Sequence, residues 1–258
     1  MDIWRQATEN WSELCAAMGC TRMQVPGAIV QSYPIERSGP FYNSAFVQKP
    51  QSFEIEKVES IFAERRLPFV IVIPRLESYA ELGKSLVEHG YSAAPAWCLM
   101  IQKELIGESN PKVRVDEIDR SGLNDWFALQ DAFPHVQSSK AARLEMIERL
   151  PGNRSVQLLL ASINHKPVGT GLLFLKEHVA SIHMIATLNE FRKRHVATTV
   201  TLEALRRARI EKVDLVWLRT RRGGIGEKVY TKIGFNVFSD ILSYTKTLQY
   251  EDSNLPPK

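Results

Sequence analysis

An apolar strand, Val179 to Ile185, runs through Ala186 toward a loop that carries Arg192, Lys193, Arg194 and His195 in succession, and a helix from Ala197 to Ile210 follows. No other stretch constrains the chain as tightly. The first turn of a helix holds amide N–H groups with no partner inside the helix, at the positive end of the helix dipole. With basic side chains gathered at the same point, this order reads as a phosphate site. A solvated basic surface has the same local signature, and the loop alone does not separate the two readings.

The neighbouring segments build a mixed α/β unit around that loop. Helical spacing predicts helices over Gly122 to Gln130 and Ser138 to Leu150. Two apolar runs, Val156 to Ile163 and Val168 to Leu175, are joined by Asn164-His165-Lys166-Pro167 and read as a hairpin. After the helix at Ala197 come a strand from Val213 to Arg219, a short helix ending near Lys232 and a last strand from Val237 to Lys246. The end of the chain, 248–258, is polar with two prolines and reads as a tail.

Within this frame, Arg192-Lys193-Arg194-His195-Val196-Ala197 resembles the acetyl-CoA-binding motif of the GNAT acetyltransferase superfamily, R/Q-x-x-G-x-G/A. Arg192 matches the first position and Ala197 the last, while His195 stands where the family has its middle glycine. Downstream, Val229-Tyr230-Thr231-Lys232-Ile233-Gly234-Phe235 is similar to the family's L-Y-E-K-L-G-F signature. The family's asparagine before this helix is replaced by Gly223.

The resemblance implies a GNAT-like acyl-CoA N-acyltransferase fold over about 112–247, with acetyl-CoA as cosubstrate and no metal. It implies that backbone amides of Ile185, Ala186 and Thr187 hold the pantetheine arm and polarise the thioester. Arg192, Lys193, Arg194, His195, Val196, Ala197 and Thr198 would hold the pyrophosphate. Tyr230 would protonate the departing thiolate, since a phenol lies near a thiol in pKa. Strand Val179 to Ile185 has no acidic residue to serve as base. His183, which shares a face with Ser181, can take that role at neutral pH or be an interior histidine.

The first half echoes the second. Strand Phe69 to Ile73, a helix from Glu77 to Glu88, Gly90-Tyr91 and strand Ala96 to Ile101 repeat the order strand, helix, Gly234-Phe235, strand. Ahead of them, Ile3, Trp4, Ala7, Trp11, Leu14 and Met18 fall on one helical stripe ended by Gly19, and Ala28 to Val30 and Tyr42 to Val47 read as strands. Phe53 to Phe62 has helical spacing. Gln48-Lys49-Pro50-Gln51-Ser52 contains no phosphate-loop pattern, and Leu86 stands where the second half has Tyr230. Residues 1–106 therefore read as a degenerate GNAT-like domain that supports the active one, with Gly107-Glu108-Ser109-Asn110-Pro111 as the linker.

Composition narrows the class further. The net charge is only +4, from 33 Lys and Arg against 29 Asp and Glu, which favours an anionic ligand without demanding nucleic acid. The arginines after Ala197 lack interleaved aromatics of the kind that bind single strands. Three cysteines without metal-ligand spacing point to reduced thiols, and no apolar run is long enough to span a membrane. The expectation is a cytoplasmic acetyl-CoA-dependent N-acetyltransferase, monomeric or homodimeric, acting on a small-molecule or peptide amine without nucleic-acid or membrane partners. The alternative is a non-catalytic CoA-binding or regulatory module.

Overall fold

The computed structural model of the chain describes residues 2–33, 43–132 and 140–246. The first apolar stripe forms α1 (Ile3–Ala17), with Trp4, Ala7, Trp11 and Leu14 buried along it. Asp2 caps this helix by accepting the Arg5 amide at 3.0 Å. Then follow β1 (Thr21–Val25), β2 (Ala28–Ser32), β3 (Ser44–Val47), α2 (Ile55–Arg65), β4 (Val70–Pro74), α3 (Ala80–Glu88) and β5 (Ser92–Gln102). The second half contains β6 (Arg114–Ile118), α4 (Leu123–Asp131), α5 (Lys140–Glu148), β7 (Val156–Ile163), β8 (Lys166–Lys176) and β9 (Val179–Thr187). It ends with α6 (Val196–Ile210), β10 (Leu215–Arg221), α7 (Ile225–Thr231) and β11 (Phe235–Thr245).

Two strands have no signature in the sequence. In β1 four of five residues are exposed, and β6 has no fully buried residue, so neither shows the alternation that marks a half-buried strand. Tyr42, Ser138 and the expected tail, 248–258, lie outside the described residues.

The eleven strands among the described residues join one mixed sheet, in the order β1-β2-β3-β4-β11-β5-β10-β9-β8-β7-β6. Each half contains one parallel pair, β3 with β4 and β9 with β10, and the halves exchange their last strands at the centre. β5 pairs with β10, β11 pairs with β4, and β5 and β11 run antiparallel to each other between them. Gly90 and Gly234, which precede these two strands, both have positive φ, +83° and +94°. At both places glycine reverses the chain after a helix in a conformation that other residues rarely adopt.

Strand alternation divides the core into two layers. Leu215 and Trp217 of β10 pack with α1 and α4 on one face; Val216 and Leu218 pack with α6 and α7 on the other. Trp126 of α4 is fully buried in the first layer, where its indole N–H donates to the carbonyls of Leu159 at 3.1 Å and Gly171 at 3.2 Å. None of the described helices is long and apolar enough to cross a membrane.

Candidate active site

The pairing of β9 with β10 stops at Ile182 and Leu218, although β9 continues to Thr187 and β10 to Arg221. A bulge causes this opening. Opposite the step from Thr170 to Leu172 on β8, β9 advances from Ala186 to His183, and Met184 stands at φ +54° within it. The Met184 carbonyl is pinned by Thr170 Oγ1 at 3.0 Å and Gln130 Nε2 at 2.6 Å. Past the bulge the Leu188 amide donates to Val168 of β8 at 3.0 Å. By alternation, the amides of Ile185 and Thr187 therefore turn away from β8 toward the opening, and Ala186 turns to its partner Thr170.

Two glycines of β8 allow α6 to lie directly on the sheet at this point. A Cβ on Gly169 would fall 2.6 Å from Val196 Cγ1, and one on Gly171 would fall 2.6 Å from Val200 Cγ1. The start of α6 is thereby set beside the end of β9. His195 is its N-cap in the left-handed conformation, φ +58°, and its side chain makes no capping hydrogen bond. Lys193 also has positive φ, +62°. Left-handed backbone is uncommon outside glycine, which gives the family's glycine at this position a conformational reason besides close approach to a ligand.

Arg192, Lys193, Arg194 and His195 are exposed, and Val196 is buried beneath them with Ala197 and Thr198 partly covered. Among the described residues no carboxylate pairs with Arg192, Lys193 or Arg194; the Arg194 guanidinium lies 5.2 Å from the Phe191 ring centroid. The later basic residues differ. Arg206 and Arg207 bind Glu203, Arg207 also binds Glu117, and Arg222 binds Glu227 and Asp240. Arg209 and Arg221, by contrast, are exposed like the loop cations, without a carboxylate partner among the described residues. What the loop adds to its unpaired cations is the start of α6, where the amides of Val196, Ala197 and Thr198 have no partners inside the helix.

The linker is tied to this loop. Asn110 Nδ2 donates to the Arg194 carbonyl at 2.9 Å, and the Asn110 amide donates to Thr199 Oγ1 at 3.0 Å. In the sequence Asn110 is legible only as part of the linker. If the loop holds a pyrophosphate, Asn110→Ala should raise the Kd for CoA roughly threefold, as loss of one hydrogen bond does, with kcat nearly unchanged. Calorimetric titration and steady-state rates measure the two separately.

His183 and Tyr230 meet at the opening from opposite faces of the sheet. They line a cavity of about 350 Å³ with Met184, Ile185, Arg219 and Thr220. Tyr230 is buried on α7, its hydroxyl makes no hydrogen bond among the described residues, and burial pushes its pKa upward, so the phenol keeps its proton. Gly226 lets α7 approach β10; a Cβ there would lie 2.3 Å from Thr220 Oγ1. Gly223, which stands where the family has its asparagine, donates its amide to Glu227 at 2.6 Å, and this bond secures the start of α7.

His183 sits between Trp11, 4.9 Å away centroid to centroid, and Trp217 at 5.4 Å, and its Nε2 has no partner. Burial, with a smaller contribution from the Arg219 charge, holds it well below the usual histidine range. It is a neutral imidazole with little tendency to take a proton, which suits the interior role better than the base. The unfolded chain binds this proton near the ordinary pKa of ~6.5. Stability is therefore full above that pH and falls below it, by up to ~1.4 kcal/mol per pH unit. His183→Phe should flatten that acid limb in urea unfolding at pH 7.5 and 5.5; an unchanged limb would contradict the assignment. Among the described residues no three His, Cys, Asp or Glu side chains converge as metal ligands.

The model of the acetyltransferase (GNAT) family matches residues 123–235. No curated protein matches the sequence. Among solved structures, a GCN5-related N-acetyltransferase from Kribbella flavida has a TM-score of 0.74 at 15% identity, covering 97% of this chain and 98% of its own. A functionally unknown conserved protein from Staphylococcus epidermidis follows at 0.68 and 15%, over 89% of this chain and 94% of that one. A GCN5-related N-acetyltransferase from Sphaerobacter thermophilus gives 0.65 and 16%, over 85% and 76%. At these identities the likeness is one of fold, and it extends over the N-terminal half as well.

Proposed function

Because this chain carries a GNAT-family domain at 123–235 within a fold shared with GNAT N-acetyltransferases, we propose that it transfers an acetyl group from acetyl-CoA to the primary amine of an acceptor. The observation that carries this reading is the opening of β9 from β10 past Ile182, with a basic helix start at one end and Tyr230 at the other. A phosphate-bearing cosubstrate fits the residues present: uncompensated cations, amides without intrahelical partners and a helix dipole converge on one loop. Arg192, Lys193, Arg194 and the amides from His195 to Thr198 would hold the pyrophosphate. Ile185 and Thr187 would donate to the pantetheine arm and the thioester oxygen, with Ala186 keeping the strand in place on β8.

Acetyl-CoA supplies the activated acyl group. The neutral acceptor nitrogen bonds to the carbonyl carbon, and the developing oxyanion is met by amides already aimed into the opening. The carbon–sulfur bond then breaks, the Tyr230 hydroxyl gives its proton to the sulfur, and the proton lost by the amine leaves through solvent, which also restores the phenol. Residues 112–247 would do this chemistry, while 1–106 would support it. In the N-terminal half Leu86, fully buried, stands where Tyr230 stands in the second.

A thiol-release assay with acetyl-CoA and a panel of amines tests the reading. Acceptor-dependent release above the hydrolysis rate is the expected result. CoA binding without release for any amine would leave the chain a CoA-binding module.

A further inference from the structure

The end of α1 brings two of the three cysteines together. It closes in two nested backbone bonds: the Cys20 amide donates to the Cys15 carbonyl at 2.9 Å, and the Gly19 amide to the Ala16 carbonyl at 2.9 Å. Gly19, at φ +98°, supplies the left-handed residue that this reversal needs. In such a helix end the side chains at the two ends of the longer bond meet, usually as an apolar contact that seals the cap. Here both are cysteine. The Cys15 thiol shares a hydrogen bond with that of Cys20, and burial together with this contact pushes it well above the usual thiol range.

Two apolar side chains would seal this cap as well, since both positions are buried, Cys15 completely. The cysteines add chemistry that an apolar contact lacks. Backbone bonds hold their side chains side by side, which is the approach a disulfide requires. Cys98 is set apart from them: it belongs to the other core layer, across the sheet, and its thiol donates to the Thr220 carbonyl at 3.5 Å. Cys20 also lies at the margin of the fold. It is 7% exposed and leads directly into β1, the outermost strand of the sheet, where Thr21 to Gln24 are exposed. Helix ends and outer strands open at low cost, so an oxidant reaches Cys20 before Cys15.

We propose that Cys15 and Cys20 are a reversible redox pair, a modification site that closes to a disulfide under peroxide and is reopened by thiols. A hydroperoxide oxidises the Cys20 thiolate to the sulfenic acid and leaves as the alcohol, or as water from hydrogen peroxide. The Cys15 sulfur then bonds to the Cys20 sulfur, and the sulfenic hydroxyl leaves as water with the Cys15 proton. The pair thus gives up two electrons and two protons, and the peroxide O–O bond takes them up. The bridge ties the start of β1 to the last turn of α1, whose Leu14 and Met18 line the cavity beside Tyr230. It therefore braces one wall of that cavity.

The test uses the full-length wild-type chain and needs no turnover. Trypsin releases both cysteines in one peptide, 6–22, between Arg5 and Arg22. After hydrogen peroxide and then alkylation in denaturant, this peptide should carry no alkyl group and be lighter by two hydrogens than its reduced form. Dithiothreitol before alkylation should restore two alkylated thiols. Two alkylated thiols without dithiothreitol, a sulfinic acid at either position, or a bridge to Cys98 or to a second chain overturns the proposal. Equilibration with glutathione buffers separates a built pair from mere nearness in sequence. The equilibrium constant for bridging should be about tenfold or more higher in the native chain than in the urea-unfolded chain, and an equal or lower value overturns the proposal. Oxidation should also slow hydrogen exchange at the Met18, Gly19 and Cys20 amides about tenfold, and unchanged exchange overturns the bracing of α1.

Discussion

Tyr230→Phe is expected to lower kcat about 100-fold while the Kd for CoA stays within about twofold, because the change removes one proton donor and keeps the ring. The ring is what the core uses: Tyr230 packs 6.1 Å from Phe235, centroid to centroid, in the layer under α6 and α7. The hydroxyl is used by nothing else among the described residues, and it lines the cavity where β9 and β10 part. Burial pushes the phenol pKa up, so at neutral pH it holds the proton that a departing thiolate needs. The effect should therefore appear in turnover and not in binding. Steady-state rates and calorimetry on the same preparation read the two quantities, and unchanged turnover would remove Tyr230 from the acid role.

The second large effect is expected from the loop. Replacing Arg192, Lys193 and Arg194 together by alanine should raise the Kd for CoA roughly 10- to 100-fold, each exposed charge contributing about 0.5–1 kcal/mol. These three side chains have no carboxylate partner among the described residues, so their removal leaves no buried charge behind and should not lower stability. The loss should shrink as salt rises from 50 to 500 mM, roughly, because exposed charges are screened over a Debye length. The residual affinity reports what the amides of Val196, Ala197 and Thr198 and the helix dipole supply. An equal loss at high and low salt would mean that the substitutions act through the fold of the loop.

Much of the frame for this site is legible in the sequence because it rests on local pattern. The helical stripe from Trp4 to Leu14, the apolar run of β9 and the basic start of α6 each declare themselves within a dozen residues or so. Gly90 and Gly234 mark matching turns because left-handed backbone favours glycine. What the sequence does not carry is long-range or unmarked. Met184 takes φ +54° without being glycine, so the bulge that opens the site has no residue signature. The exchange of β5 and β11 depends on pairings between distant segments, and nothing local distinguishes it from two separate sheets. Trp11 reads as a core residue of α1; only folding brings it over Arg219 and next to His183. His183, open in the sequence to either role, is held neutral by burial among rings, a cause that residue type cannot express.

The proposed transfer depends on the start of α6, beside the end of β9, holding the pyrophosphate of CoA. Calorimetric titration of the wild-type chain with CoA at low salt, repeated on the Arg192, Lys193 and Arg194 alanine variant, tests it most directly. Saturable one-site binding that weakens roughly 10- to 100-fold in the variant, and less so at high salt, is the predicted result. No saturable binding to the wild type, or binding of equal strength to the variant, would contradict it.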